Sequence, residues 1–171
     1  MKLNVCAGQR YLDGYTNIDI VQPAGSRELD ILASALEIPL PDNCAEEILC
    51  VHGFEHLYRW ECDVALIEWR RLLAPGGLLV LELPDLIKFC ENILSGRVDG
   101  GKHPDQLGLW AAYGDPRDKN PFMTHRWAFS PKSLRALLKD HGFVDIIDTE
   151  TRFHPAGRAR RDMRIEARNS A

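Results

Sequence analysis

The 171-residue chain lacks several features, and each absence removes a class of function. No apolar run approaches the ~20 residues that a membrane-spanning helix needs, so no membrane partner is expected. The opening MKLNVCAG passes straight into a strand pattern, so no signal peptide is read and a cytoplasmic location is expected. Positive charge is not in excess: the formal net charge is −4, which offers no global field to nucleic acid. The cysteines, Cys6, Cys44, Cys50, Cys62 and Cys90, are odd in number and include no CxxC pair. Reduced thiols, most of them packed as small hydrophobes, follow from that usage. HExxH is also missing. Cys50, His52, His56 and Cys62 stand in a row but cross a strand and a helix start, so no metal-ligand set is read. No GxGxxG opens a helix after the first strand, which disfavours a nicotinamide-dependent oxidoreductase. Internal repeats and low-complexity segments are missing too.

What is present describes one globular domain over residues 1–171, with 45% apolar residues and enough chain for a sizeable core. CDVALIEWRRLL places Cys62, Ala65, Leu66, Trp69, Leu72 and Leu73 at helical spacing, and Ala74-Pro75-Gly76-Gly77 stops that helix. The apolar run Leu78–Leu83 reads as a strand covered on both faces, ended by Pro84. Asp85 is placed to cap a helix whose stripe is Leu86, Phe89, Cys90 and Ile93. Ser130 and Pro131 begin another helix that Gly142 terminates. Ile48–Val51 is a strand ending at His52, and two last strands near 143–149 and 163–167 have no helix between them. The pattern predicts an α/β, doubly wound, mostly parallel sheet with an antiparallel C-terminal edge. The stretch at about 96–130 is rich in glycine, proline and aromatics. It reads as a lid that orders over ligands, with Gly100 and Gly101 among its hinges.

Near the start, Leu3–Cys6 runs into Ala7-Gly8, and Thr16–Ile18 runs into Asp19, with only Gln9–Tyr15 between them. If the two strands are parallel, the chain must return by roughly 16 Å. Seven or eight extended residues reach roughly 25 Å, so a helix-free return is possible. A hairpin fits the alternation as well. Only parallel strands place Gly8 and Asp19 at the same edge, where a close-approach glycine and a ribose-binding acid would serve a nucleoside.

LNVCAG, LDGY, NIDI, IPLPDN, EEILCVH, FEHL, EWRRLLAPGGLLVLELPDL, HRWAFSPKSLRALLKDHGF and RDMRIEAR follow one another in this order. That series resembles the class I S-adenosylmethionine-dependent methyltransferases of the small type 11 kind. It is most similar to a compact bacterial group that also lacks the helix between the first two strands. The resemblance implies a Rossmann-like methyltransferase fold and S-adenosylmethionine as cofactor. It implies transfer of a methyl group to a small-molecule acceptor, with a sugar or glycan precursor as the expected class. The cofactor would be held by Cys6, Ala7, Gly8, Asp19, Ile20, Asp30, Ile31 and His52, with Asp30 and Ile31 beside adenine. His52, and in the lid His125 and Arg126, are the candidates for catalysis: a histidine to accept a proton and an arginine to hold an acidic acceptor. Cys6 stands where the group has glycine, and its Cβ is expected to crowd the cofactor. That departure supports an alternative, a non-catalytic methyltransferase-fold protein that binds a ligand or partner. His56 is read as packing beneath the crevice, and Arg158, Arg160, Arg161 and Arg164 as a solvated hairpin. Leaving out the first helix is expected to bare Leu3, Val5 and Ile18, and so to favour a homodimer or a lid folded back over them.

Overall fold

The computed structural model describes residues 1–98, 106–153 and 160–170. Seven strands form one sheet: β1 Lys2–Val5, β2 Thr16–Asp19, β3 Ile31–Leu32, β4 Ala45–Val51, β5 Leu73–Pro84, β6 Phe143–Thr149 and β7 Asp162–Asn169. Their spatial order is β3-β2-β1-β4-β5-β7-β6. Pairing is parallel from β3 to β5, and β7 runs antiparallel to both β5 and β6. The antiparallel strand therefore lies inside the sheet, and β6 is its edge.

β1 and β2 are parallel, with Leu3 opposite Thr16 and Val5 opposite Ile18. No helix joins them. Two buried asparagines organise the return instead. Asn17 accepts the Leu12 N–H at 2.8 Å and donates its amide to the carbonyls of Leu12 and Tyr15. Asn4 donates to Asn17 Oδ1 and to the Arg10 carbonyl, both at 2.8 Å. Backbone groups of the crossover that a helix would have paired internally are thus paired by side-chain amides.

Helix α1, Arg59–Leu72, buries Cys62, Ala65, Leu66, Trp69 and Leu72, as its spacing predicts. Asp85 caps α2, Leu86–Leu94, by accepting the Ile87 N–H at 2.9 Å. The predicted stripe of α2 is not its buried face, however. Cys90 and Ile93 are exposed, while Asn92 is buried and donates to the Arg160 carbonyl. A short α3, Leu109–Tyr113, precedes α4, Pro131–Asp140, whose Ser130 cap accepts the Ser133 N–H. No described helix is long and apolar enough to cross a membrane.

The main core packs Leu3, Val5, Ile18, Ile48, Leu79, Leu81 and Ile165 against α1 and α4. Leu3, Val5 and Ile18 are each 0% exposed, which corrects the expectation that the missing helix bares them. Alternation along β1 and β2 turns them toward α1 and gives the opposite face Asn4 and Asn17. The premise for a homodimer through those side chains therefore falls. On the opposite face Leu49, Val51 and Val80 form a smaller cluster with Leu12, Tyr15 and Phe153, to which no helix residue contributes among the described residues. Around it stand Glu82, 0% exposed, and Arg164, 5% exposed, paired at 3.4 Å. Glu82 also accepts the N–H groups of Arg152 and Phe153. Tyr15 donates its hydroxyl to Glu47, and burial and that bond push its pKa up to about 12. Arg161 and Arg164 are buried in ion pairs with Asp162 and Glu82, so the basic stretch is not a solvated hairpin there. Arg160 is exposed, and Arg158 lies outside the described residues.

Candidate active site

A cavity of about 1150 Å³ opens along the carboxyl ends of the parallel strands. The carboxyl ends of β1, β2, β3 and β4 and the turns after them build its floor, with Gly8, Asp19, Ser34 and His52. Residues of the long insertion, including Phe122, Met123 and Arg126, line its far side. This is the position that open parallel sheets give to ligands.

Parallel pairing carries Gly8 and Asp19 to the same edge. The Gly8 N–H donates to Asp19 Oδ2 at 2.8 Å, and the Val21 N–H donates to Oδ1 at 3.2 Å. Each oxygen keeps a lone pair for a further donor, as a vicinal diol requires. Gly8 has φ +52°, and a Cβ built there would meet nothing within 4 Å, so its free side faces open space. A glycine is needed for the backbone conformation and leaves room for a ligand to approach.

Cys6 takes a left-handed conformation, φ +57°, where a side chain costs about 1–2 kcal/mol. Its side chain does more than face the ligand. A Cβ added to Gly53 would come within 2.3 Å of Cys6 Cβ and 2.8 Å of Cys50 Sγ. Gly53, in the turn after β4, makes room for the cysteine. The bond with Cys6 and complete burial push the Cys50 thiol well up. Cys6, Ala7 and Ile20 all line the cavity.

Asp30 and Ile31 do not. Asp30 accepts the Asn17 N–H at 2.7 Å and the Tyr11 hydroxyl at 2.8 Å, which holds its carboxyl below the usual range. Ile31 begins β3, opposite Ile18, and packs on the main core. The expectation placed the end of β3 too early. The strand runs on to Leu32, and Ala33, Ser34 and Ala35 reach the cavity instead.

His52 ends β4 with φ +52° and lines the cavity, but its ring is committed elsewhere. Nδ1 lies 3.0 Å from Glu55 Oε1, and Nε2 lies 3.0 Å from Asp162 Oδ2. Burial opposes the charged ring, yet the bonds to Asp162 and Glu55 outweigh it and push the pKa up to about 9. Glu55, against its own burial, is held down to about 2, chiefly by the hydrogen bond and charge of His52. Asp162 is likewise held below the carboxylate range by His52 and Arg161. A cation with both N–H groups donated to carboxylates has no lone pair for a substrate proton, which corrects the reading of His52 as a general base. Asp162, far along the chain, gives no sequence signal of this pairing.

The insertion docks beside the turn after β4. The N–H groups of Arg126 and Trp127 donate to the Glu55 carbonyl at 2.8 and 3.2 Å. The Arg126 guanidinium donates to the His56 carbonyl at 3.1 Å and lies over the Tyr58 ring at 4.6 Å. His125 Nδ1 lies 2.9 Å from the Ala111 carbonyl, and its ring meets His56 edge-on at 4.8 Å. Burial lowers the His125 pKa. His125 and Arg126 therefore hold their places through contacts with the body and need no closing movement to reach it. His56, expected to pack beneath the crevice, lines the cavity. Gly100 and Gly101 of the expected hinge lie outside the described residues.

A family model described as a methyltransferase domain matches residues 10–81. A probable S-adenosylmethionine-dependent methyltransferase of Mycolicibacterium smegmatis is 29% identical over 128 residues. The matched segment is similar to methyltransferase domains, and the sheet order is consistent with the fold of the solved methyltransferases below. It covers 75% of itself in the comparison with the mycobacterial relative and spans 39% of that relative's length. Among solved structures, an S-adenosylmethionine-dependent methyltransferase of Methanosarcina mazei superposes with a TM-score of 0.63 at 19% identity, over 99% of this chain and 92% of that one. The 1,6-didemethyltoxoflavin N1-methyltransferase of Burkholderia thailandensis, solved with bound 1,6-didemethyltoxoflavin and S-adenosylhomocysteine, gives a TM-score of 0.60 at 15% identity, over 99% of this chain and 71% of that one.

Proposed function

We propose that this chain is a methyltransferase domain that binds S-adenosylmethionine along the ends of β1, β2 and β3 and methylates a small molecule admitted from the side of the insertion. The observation that carries the reading is the Asp19 carboxylate fixed by the Gly8 N–H at the mouth of a cavity of about 1150 Å³. Single-ligand pockets run roughly 300–1,000 Å³, so the cavity has room for the cofactor and a second molecule. The cofactor supplies an activated methyl group. The chain's own residues bind and orient: Asp19 offers acceptors to a ribose, Gly8 lets the backbone approach, and Ala33 and Ser34 stand where the base would lie. Phe122 and Met123 shield the acceptor side from water, and alignment with desolvation supplies the rate. His52 acts as a positioning residue that ties Glu55 to Asp162. A sugar or glycan precursor as acceptor rests on the resemblance alone; the support here extends to a small molecule, as in the Burkholderia relative. A binding protein without catalysis is not favoured, because the Cys6 side chain is accommodated at Gly53.

Calorimetry with S-adenosylhomocysteine tests the reading. Asp19→Ala should weaken binding by about 1.5–3 kcal/mol, the scale of hydrogen bonds to a charged group. Unchanged affinity in a folded variant removes Asp19 from the site.

A further inference from the structure

The turn after β4 and the end of the insertion bring together three ligand-type side chains that the sequence keeps far apart. A carboxylate oxygen of Glu55 and a ring nitrogen each from His56 and His125 lie within 4.8 Å of one another. Glu55 is 2% exposed, and its Oε2 is buried with no hydrogen-bond partner. A buried carboxylate oxygen left bare is costly, and such an atom calls for a partner. The two imidazoles stand beside this carboxylate, with His125 Nε2 3.9 Å from its other oxygen. His56 Nδ1 lies 3.2 Å from the Thr124 carbonyl and His125 Nδ1 lies 2.9 Å from the Ala111 carbonyl. A carbonyl oxygen can only accept, so each Nδ1 carries a proton and each neutral ring keeps its lone pair on Nε2. Histidines that ligate metals are oriented in this manner, through an outer bond from the other ring nitrogen.

We propose that Glu55, His56 and His125 form a binding site for a divalent transition-metal ion of the zinc class. Two imidazoles and one carboxylate suit such an ion, and three protein ligands leave a coordination position open. His56 lines the cavity, so the site borders the acceptor's side. Ligand atoms at about 2.1 Å from a tetrahedral ion are roughly 3.4 Å apart, so the three side chains draw in by about 1 Å on binding. Glu55 Oε2 has no other bond to give up. His52 binds Oε1, which also lies 3.9 Å from His125 Nε2, so an ion taken by that oxygen would share it with His52. The site itself stands on these three side chains. Its use, to hold an oxygen or nitrogen of the acceptor, rests on the methyl-transfer reading.

The test is retention of added Zn²⁺ by chelator-treated full-length protein after gel filtration, with affinity from competition against a chromophoric chelator. Wild-type protein should retain one zinc per chain. His56→Ala, His125→Ala and Glu55→Gln, the last keeping an acceptor for His52, should each weaken retention on the order of 100-fold or more, at or beyond the upper range for loss of an outer partner. His141→Ala, at the far end of α4, should leave retention unchanged. Co²⁺ should give tetrahedral absorption bands in wild-type protein that vanish in His125→Ala. S-adenosylhomocysteine affinity, measured without metal, should stay within about twofold in every variant and so reports an intact fold. Where His125→Ala does not fold, His125→Gln serves in its place. Zinc retention without S-adenosylhomocysteine binding would sink the methyl-transfer reading and leave the metal site standing. Cofactor binding with no zinc retained, or equal loss in His141→Ala, overturns the metal site.

Discussion

The two faces of the sheet are built from different materials. One face is apolar and backed by helices: Trp69 of α1 is 0% exposed and meets the Phe54 ring at a tilt, with Leu134 and Leu138 of α4 in the same core. The other is backed by loops and stitched by polar bonds through Asn4, Asn17, Glu47, Glu82 and Arg164. Each Asn or Glu on that face satisfies backbone groups or a partner charge, so little polar surface is left unpaired there. The difference teaches that a crossover helix contributes two separable things, apolar cover and internal pairing of its own backbone. Here the amides replace the second and only a few side chains, such as Leu12 and Tyr15, replace the first.

The comparison can be broken by substitution. The largest effect is expected on the helix-backed face. Trp69→Ala should lower stability by about 3–5 kcal/mol in urea unfolding, because it leaves a cavity and an unpaired Ala35 carbonyl that now accepts the indole N–H. Asn17→Ala comes next, at roughly 2–3 kcal/mol, since it strands buried groups of Leu12, Tyr15 and Asn4 that each carry a penalty near 1–3 kcal/mol when unpaired. Hydrogen exchange should then show the Leu12 amide losing protection while those of β5 keep theirs. Equal loss of protection in β5 would mean that the polar face is no separate unit, and a larger destabilisation than Trp69→Ala would invert the comparison.

The smallest effect probes the junction between the helix-backed face and the cavity. Gly53→Ala should cost about 1–3 kcal/mol through overpacking against Cys6. Cys6→Gly alone should change stability by no more than about 1 kcal/mol, as relief of the left-handed backbone offsets lost packing. Combined, the two should recover most of the loss. Thermal melts of the double-mutant cycle measure that coupling, and additive losses would show that Cys6 and Gly53 do not share the space.

Sequence alone carried the elements whose signal is local. The α1 stripe from Cys62 to Leu72, the Asp85 and Ser130 caps, the β5 run and the strand ends at Gly8 and Asp19 were all readable, because periodicity and capping act over a few residues. The parallel return of β1 to β2 followed from chain reach and from the need to place Gly8 and Asp19 together. Tertiary structure decided the rest. Whether Leu3 and Ile18 would lie bare depended on which face α1 covers. Where β3 ends, and hence whether Asp30 or Ser34 meets the cavity, depended on Asn17 claiming the Asp30 carboxylate. His52 looked like a base until Glu55 and Asp162 took both its nitrogens, and Cys6 looked like an obstacle until Gly53 was seen to yield to it. These outcomes turn on contacts between residues distant in the chain, whose strengths are set by burial and geometry that no local pattern encodes.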